Sequence, residues 1–585
     1  MSSATSDPRP EGSFPSRAPK GKACLACRRR KMKCDCVRPV CGQCVRFNRE
    51  HDCEFTDGDQ RSRTQILEEN IAALQARLKL LESPTSEPST STSPESLPGA
   101  RESRSGGHVD DGMDMSPERE VEGLVHTKLN SQFAFNHVDE PPLTVAQGLI
   151  EVFMRYAYDF GFFLNRARFV SYCTRKFSTT AHHAPVDPLL CTVYLWGSIL
   201  SQDDRWTIVE ETYATHCASL LISTASSEGN FLHIIQAEVL LANYYFHSAR
   251  FSEGRNHLSI ASSLVVTHKL GKIRNQIPLT LNAKLDLVDM SQYVPPPEST
   301  LDEGERIHCF WTVYSLDKVW AMAVDRQSFI VDDGSPSGTV ETPWPLSMKE
   351  FEEGDVPESY RGGHTMMSFL HQPFVPENQP AVMSPVCLRS QAVALLSKAG
   401  WLSSAASIDS APHLEFLNEH DILIEKFILH LPLLETLSSF DDPELIRHLV
   451  LTHMIARLSM MQLHNVFIDS NLTSTVKCLS ASKAIAAAYK VILPKRSDII
   501  RGAQLHADPF LLICLTASAK MMVNDLSNAK NGHHLWRTGP LCNSHTYMGV
   551  VLNEYVETIE EANRGSALTE TQVAKIGAMR AVGGV

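Results

Sequence analysis

Cysteine is the residue type whose placement in this chain could do chemistry. Seven of the 15 cysteines fall between Cys24 and Cys53, and six of them follow the spacing Cys24-x2-Cys27-x6-Cys34-x6-Cys41-x2-Cys44-x8-Cys53. A Cys-x2-Cys link is short enough for two thiolates to close on one ion, and basic neighbours lower thiol pKa values and favour the metal-binding form. Six thiolates cannot give two zinc ions four separate ligands each. They can if two sulfurs are shared. The seventh, Cys36, stands just past Cys34 and is read as a bystander thiol. His51 could replace Cys53 as a ligand; spacing favours Cys53. The other eight cysteines are scattered singly from Cys173 to Cys542 and are expected to act as small buried hydrophobes.

Charge singles out the same segment. Residues 16–55 hold eleven Lys/Arg against four acids, a net +7, which leaves −20 on the remainder of a 585-residue chain. A small basic head on a large acidic body suggests a polyanion partner for the head alone. Arg28, Arg29, Arg30, Lys31 and Lys33 lie between Cys27 and Cys34. If this segment is a short helix, its outer face is a strip of positive charge. Its bland reading is a solvated face or a nuclear import signal. Residues 1–20 have no apolar stretch before their basic residues, which argues against a secretory signal and for a reducing compartment, where a disulfide knot is disfavoured. No apolar run reaches the ~18 residues of a spanning helix, so no membrane partner is expected. A RING-like head would want a ligating His between its paired cysteines, and none is placed there.

The elements around the head follow from composition and period. Residues 1–20 read as disordered, 21–56 as the Cys-rich head and 57–65 as a polar link. In 66–83, Leu67, Ile71, Leu74, Leu78 and Leu81 are spaced 4, 3, 4, 3. That is an a/d heptad seam with Ile71 and Leu78 at a, and Arg77 at g could meet Glu82 at e of a partner chain. The spacing predicts a short parallel coiled coil and a homodimer; the plain alternative is an amphipathic helix on its own chain. Ser83-Pro84 ends it. Residues 84–140 form a disordered Ser/Pro/Glu linker, with Ser-Pro pairs at Ser83, Ser93 and Ser116.

From 141 to 575 the pattern is a large helical domain, followed by a tail at 576–585, so the fold class is mainly α. Helices are expected at roughly 232–249 and 253–270, with a turn near Phe251-Ser252 and a left-handed cap at Gly271. Residues 305–324 are apolar almost all round and read as a buried helix. Loops are expected around 294–299 and 333–385. The acidic, apolar stretch 551–562 reads as a packed helix as readily as an activation segment. No G-x-S-x-G elbow, P-loop, G-x-G-x-x-G or H-E-x-x-H occurs. His182-His183 and His533-His534 read as loop residues. The chain is read as no enzyme.

The motif CLACRRRKMKC, with PVCGQC and the last Cys, resembles the fungal binuclear zinc cluster, the DNA-binding module of a large family of fungal transcription factors. The resemblance implies two Zn2+ ions. Cys24, Cys27, Cys34 and Cys41 would hold one, and Cys24, Cys41, Cys44 and Cys53 the other. Pro39 matches the loop proline between the halves, and Cys27-x6-Cys34 fits the family spacing where Cys27-x8-Cys36 does not. The resemblance further implies double-stranded DNA as partner, with Arg30 and Lys31 at the bases of CGG-type triplets, co-regulators or transcription machinery as further partners, and the nucleus as location. Arg28 and Lys33 suit phosphates better. One head reads few base pairs, so a dimer through 67–81 would double the site.

The body is similar to the family's helical regulatory domain. Its matching positions are Arg306, Phe310, Trp311, Tyr314, Asp317 and Arg326, followed by the TPWP of 342–345. The family's Gly-Arg-Pro is replaced here by Asp325-Arg326-Gln327. Asp317 is expected to be buried and paired with an arginine, such as Arg306 or Arg326. The runner-up function is a zinc-stabilised protein-interaction factor without DNA specificity.

Overall fold

The computed structural model describes residues 23–37, 40–47 and 53, and then 141–583 with breaks at 180–186, 202–209, 225–229, 276–294, 333–337, 372–383, 405–410, 500–507, 532–548, 560–565 and single positions elsewhere. The heptads of 66–83, the linker of 84–140, the terminal segment 1–20, His51 and both His-His pairs lie outside the described residues. The chain divides into two compact units, residues 1–113 and 114–585.

The first unit is built on two short helices, α1 (Leu25–Arg29) and α2 (Gly42–Arg46). Its buried cluster consists of Cys24, Ala26, Cys27, Cys34, Cys41 and Cys44, so sulfur takes the place of an aliphatic core.

The second unit is helical, and among the described residues its only β-pairing is one bridge between Asn275 and Gly362. Its helices run α3 (Leu143–Met154), α4 (Arg166–Thr179), α5 (Pro188–Leu200), α6 (Glu210–Thr224), α7 (Phe231–His247), α8 (Phe251–Thr267), α9 (Thr300–Ala323), α10 (Met348–Glu353), α11 (Thr365–His371), α12 (Pro385–Ser404), α13 (Ala411–His430), α14 (Leu434–Leu437), α15 (Pro443–His464), α16 (Leu472–Ile499), α17 (Pro509–Lys530) and α18 (Ala567–Gly583). Three of them begin with Asp-Pro. Asp187, Asp442 and Asp508 each accept the amide two residues on, while the proline fills the first helical position, where no N–H is needed. Packing runs in sequence through α7, α8, α9, α12, α15, α16, α17 and α18, and α18 returns to α7. One continuous apolar core results.

Several expectations are corrected. The turn between α7 and α8 falls at 248–250, with Ala249 at φ 56°, ahead of the expected Phe251-Ser252. The left-handed residue after α8 is Lys269 (φ 52°), not Gly271. Gly271 answers a packing need instead: a Cβ there would stand 3.0 Å from the Phe310 ring. The region 333–385 is not all loop, since it carries α10 and α11. Helix α18 runs across the boundary placed at 575. Helix α17 is long and apolar enough to cross a membrane, but most of it is buried between α16 and neighbouring helices. Within 551–562, Leu552, Tyr555 and Ile559 are buried at helical spacing, in keeping with a packed helix.

Helix α9 organises the body. Ser299 caps it by accepting the Asp302 amide at 3.1 Å. The TPWP segment latches onto it: Trp311 donates to the Pro343 carbonyl at 2.8 Å and stacks on Trp344 at 4.2 Å, and His308 bonds the Leu346 carbonyl at 2.8 Å. Asp317 is fully buried, but neither Arg306 nor Arg326 reaches it. Arg306 pairs with Asp302 at 2.9 Å. The Asp317 carboxylate instead accepts the amides of Phe329 (3.0 Å) and Ile330 (2.8 Å) and the Ser328 hydroxyl (2.5 Å). A returning loop satisfies the carboxylate through two amides and a hydroxyl, and the charges of Arg255 and Lys318 also act on it. Asp325, which replaces the glycine that the resemblance implies, adopts φ 52°, the left-handed conformation a glycine adopts without cost.

Candidate metal centre and nucleic-acid interface

The two halves of the head begin alike. Cys24 precedes α1 with φ −61° and ψ 154°, and its sulfur accepts the Cys27 amide at 3.4 Å. Cys41 precedes α2 with φ −71° and ψ 148°, and its sulfur accepts the Cys44 amide at 3.4 Å. Each first cysteine caps a helix with sulfur, and each second cysteine follows on the next turn of the same side. The Cys-x2-Cys spacing therefore turns both thiols of a half toward one point.

The halves meet at their first cysteines. Sγ of Cys24 lies 3.7 Å from that of Cys41 and 3.9 Å from that of Cys44, and Cys27 lies 3.7 Å from Cys41. Two groups of four sulfurs form, Cys24–Cys27–Cys34–Cys41 and Cys24–Cys41–Cys44–Cys53, each within 4.8 Å throughout. Both contain Cys24 and Cys41. A tetrahedron with Zn–S bonds of about 2.3 Å has S–S edges of about 3.8 Å, so the sulfurs stand at the separation tetrahedral zinc needs. Cys36 belongs to neither group. Its backbone takes φ 58°, and its sulfur turns toward the Cys34 carbonyl at 3.9 Å.

Crowding shapes the protonation of these thiols. Burial raises Cys24 and Cys27, the latter to about 11. Burial and hydrogen bonds with Cys41 and Cys53 push Cys44 up to about 12. Burial also opposes the Cys41 thiolate, but the Cys44 amide and neighbouring thiols bond its sulfur and bring it down to about 6. The Cys41 amide in turn donates to Cys53 Sγ at 3.2 Å. Such N–H···S bonds stabilise sulfur charge around a metal.

Asp35 was not singled out by sequence reasoning. Its carboxylate accepts the Gly42 amide at 3.1 and 2.9 Å and the Val37 amide at 3.3 Å, tying the loop after Cys34 to the start of α2. A Cβ at Gly42 would stand 2.5 Å from Asp35 Oδ2. The available signal was an acid beside Cys34 and a glycine directly after Cys41.

The basic segment is not one helix, so the condition for a continuous charged helical face is not met. Arg28 and Arg29 form the last turn of α1, Arg30 caps it, Lys31 takes φ 52°, and Lys33 lies beyond the helix. All five are exposed, and Arg28 also reaches the Ala23 carbonyl at 3.3 Å. The second half has matching backbone but different side chains. Val45, Arg46 and Phe47 stand where the first half has Arg28, Arg29 and Arg30, and Val45 and Phe47 are about half exposed, at 49% and 56%. The positive face thus belongs to the first half.

Residues 22–62 match the fungal Zn(2)-Cys(6) binuclear cluster domain, and residues 150–436 match the fungal specific transcription factor domain. The chain belongs to the fungal binuclear zinc cluster transcription factors. Together the two matches cover more than half of it. It is 49% identical over 39 residues to the chromatin structure-remodeling complex protein RSC30 of Saccharomyces cerevisiae, which is 7% of this chain and 4% of that protein. It is 36% identical over 78 residues to the transcription factor MAR1 of Candida glabrata, which is 12% of this chain and 6% of that one. The chain therefore spans only a small part of the curated relatives it matches. No solved structure matches it.

Proposed function

We propose that this protein is a nuclear, sequence-specific regulator of RNA polymerase II transcription that binds CGG-type half-sites as a homodimer and works with co-regulators through its helical body. Two zinc ions hold the head, one by Cys24, Cys27, Cys34 and Cys41 and the other by Cys24, Cys41, Cys44 and Cys53. Zinc supplies no redox chemistry there; it fixes fold. Arg30 and Lys31, at the exposed end of α1, address guanine O6 and N7, while Arg28, Arg29 and Lys33 neutralise phosphates. Leu67, Ile71, Leu74, Leu78 and Leu81 join two chains and set half-site spacing.

The observation that carries this reading is the contrast between the two halves. They share backbone geometry, yet among the described residues only the first presents a cluster of exposed cations at its helix end. A structural role for zinc needs no such difference.

Gel shifts of the full zinc-loaded chain on paired CGG probes test it. Arg30→Ala with Lys31→Ala is expected to cost at least about tenfold in affinity for the CGG probe and little for a scrambled one, since each good base contact discriminates by about 1–3 kcal/mol. Lys33→Ala should weaken both probes alike and flatten the salt dependence. Equal losses on CGG and scrambled probes would remove sequence reading and leave the head as a protein-binding module, for which the exposed Val45 and Phe47 would be the surface.

A further inference from the structure

The body holds a pair of sulfurs that the zinc head does not involve. Cys191 lies on α5 and Cys217 on α6, and their Sγ atoms are 2.6 Å apart. Both side chains are essentially inaccessible, at 1% and 0%. The separation falls between the ~2.05 Å of a covalent S–S bond and the ~3.5–4.0 Å of ordinary non-bonded contact. The unbonded sulfurs of the head, by comparison, stand 3.7–3.9 Å apart. The other buried cysteines of the body, such as Cys309, Cys387 and Cys514, show no such partner among the described residues.

We infer that Cys191 and Cys217 are a redox-modification site that closes to a disulfide between α5 and α6 when the cell meets a peroxide. In a reducing compartment the pair rests as thiols, since cytosolic and nuclear disulfides form transiently. The step balances with hydrogen peroxide as the oxidant. One thiolate attacks a peroxide oxygen, the O–O bond breaks, and hydroxide leaves as water once it takes up the thiol's proton, giving a sulfenic acid. The second sulfur then attacks the first, the S–S bond forms, the S–O bond breaks, and a second water leaves. Two electrons pass from sulfur to peroxide, and a thiol reductant reverses the change.

Placement says what the bond would do. Helix α5 is wedged into the core: Trp196 stacks on Phe160 at 3.9 Å, and a Cβ on Gly197 would meet the Leu149 carbonyl at 2.4 Å. Helix α6 docks on α5 and α7 and leaves Glu211, Thr215 and Ser219 exposed. It is the more peripheral of the two, so local opening of α6 gives peroxide its access. Burial also holds the Cys217 thiol well above the ordinary range, which keeps the pair slow to react until α6 opens. The bond then spans 26 positions of chain and pins α6 to the core.

The test uses the full zinc-loaded chain treated with hydrogen peroxide, alkylated, digested without reductant and mapped by mass spectrometry, with zinc content followed in parallel. A peptide joining Cys191 to Cys217, lighter by two hydrogens and released by dithiothreitol, is the expected product, formed while the head retains its zinc. Recovery of both residues as alkylated thiols, or in scattered pairings, after the head has begun to oxidise would overturn the proposal. Melting of the treated chain supplies the second readout. It should rise by at least about 2 °C and fall back on reduction, and the rise should be absent in Cys217→Ser. An unchanged melting temperature in a chain shown to carry the cross-link would overturn the bracing role.

Discussion

The contact between Asp35 and Gly42 allows a quantitative test of how the head is held. In Gly42→Ala the new Cβ would stand 2.5 Å from Asp35 Oδ2, so the carboxylate must swing away. It gives up the Gly42 amide, now at 3.1 and 2.9 Å, and loosens the Val37 amide at 3.3 Å. Asp35 is exposed, so water replaces part of this, and each bond is worth about 0.5–1.5 kcal/mol net. Against that loss, alanine gains up to about 1 kcal/mol over glycine in helix propensity. The substitution is therefore nearly neutral or mildly destabilising when Asp35 is present. In an Asp35→Ala background nothing obstructs the Cβ, and the same change should stabilise by up to about 1 kcal/mol. The two positions couple by about 1–2 kcal/mol. Metal binding and folding are one process in such small modules, so the coupling reads as about 5- to 30-fold in apparent zinc affinity. Chelator competition on the four proteins of the cycle at one pH measures it. If Gly42→Ala shifts affinity equally in both backgrounds, the carboxylate does not brace the second half.

Two further outcomes are expected. Zinc must displace protons held by Cys27 in one group and Cys44 in the other, whose thiols burial pushes up to about 11 and 12, so apparent affinity should fall as pH falls, by about one decade per unit or more for each ion between pH 7.5 and 6.5; a flat profile in chelator competition would contradict this proton count. Asp317→Ala removes the acceptor of two loop amides and a hydroxyl from a fully buried site, which should cost about 2–4 kcal/mol, lower the melting temperature and open 328–330 to limited proteolysis, and unchanged melting and cleavage would mean that the loop is held elsewhere.

The head was legible because its chemistry is written in spacing. Two Cys-x2-Cys units and six thiols leave few ways to satisfy tetrahedral zinc, and the structure gathers the same six sulfurs while turning Cys36 out. Asp35 was not legible, since one acid among basic neighbours carries no period; its role depends on a glycine seven positions on. The helices around 232–270 and 305–324 announced themselves through apolar period. Their connections did not. Asp317 was assigned an arginine because a buried charge needs compensation, whereas its hydrogen bonds come from loop amides, which every residue possesses and no sequence pattern marks, and the arginine whose charge acts on it is Arg255, far off in sequence. Gly271 was read as a cap by habit of glycine, while Lys269 takes the left-handed turn and Gly271 makes room for Phe310. The close approach of Cys191 to Cys217 was equally hidden, because it depends on how α5 meets α6.

Counting zinc on the intact chain tests the account most directly. Native mass spectrometry should find two ions in the wild type, at most one in Cys53→Ser, and none in Cys41→Ser, because Cys41 stands in both groups of four sulfurs. A single ion in the wild type, or an ion retained by a folded Cys41→Ser head, would contradict a cluster built on shared thiolates.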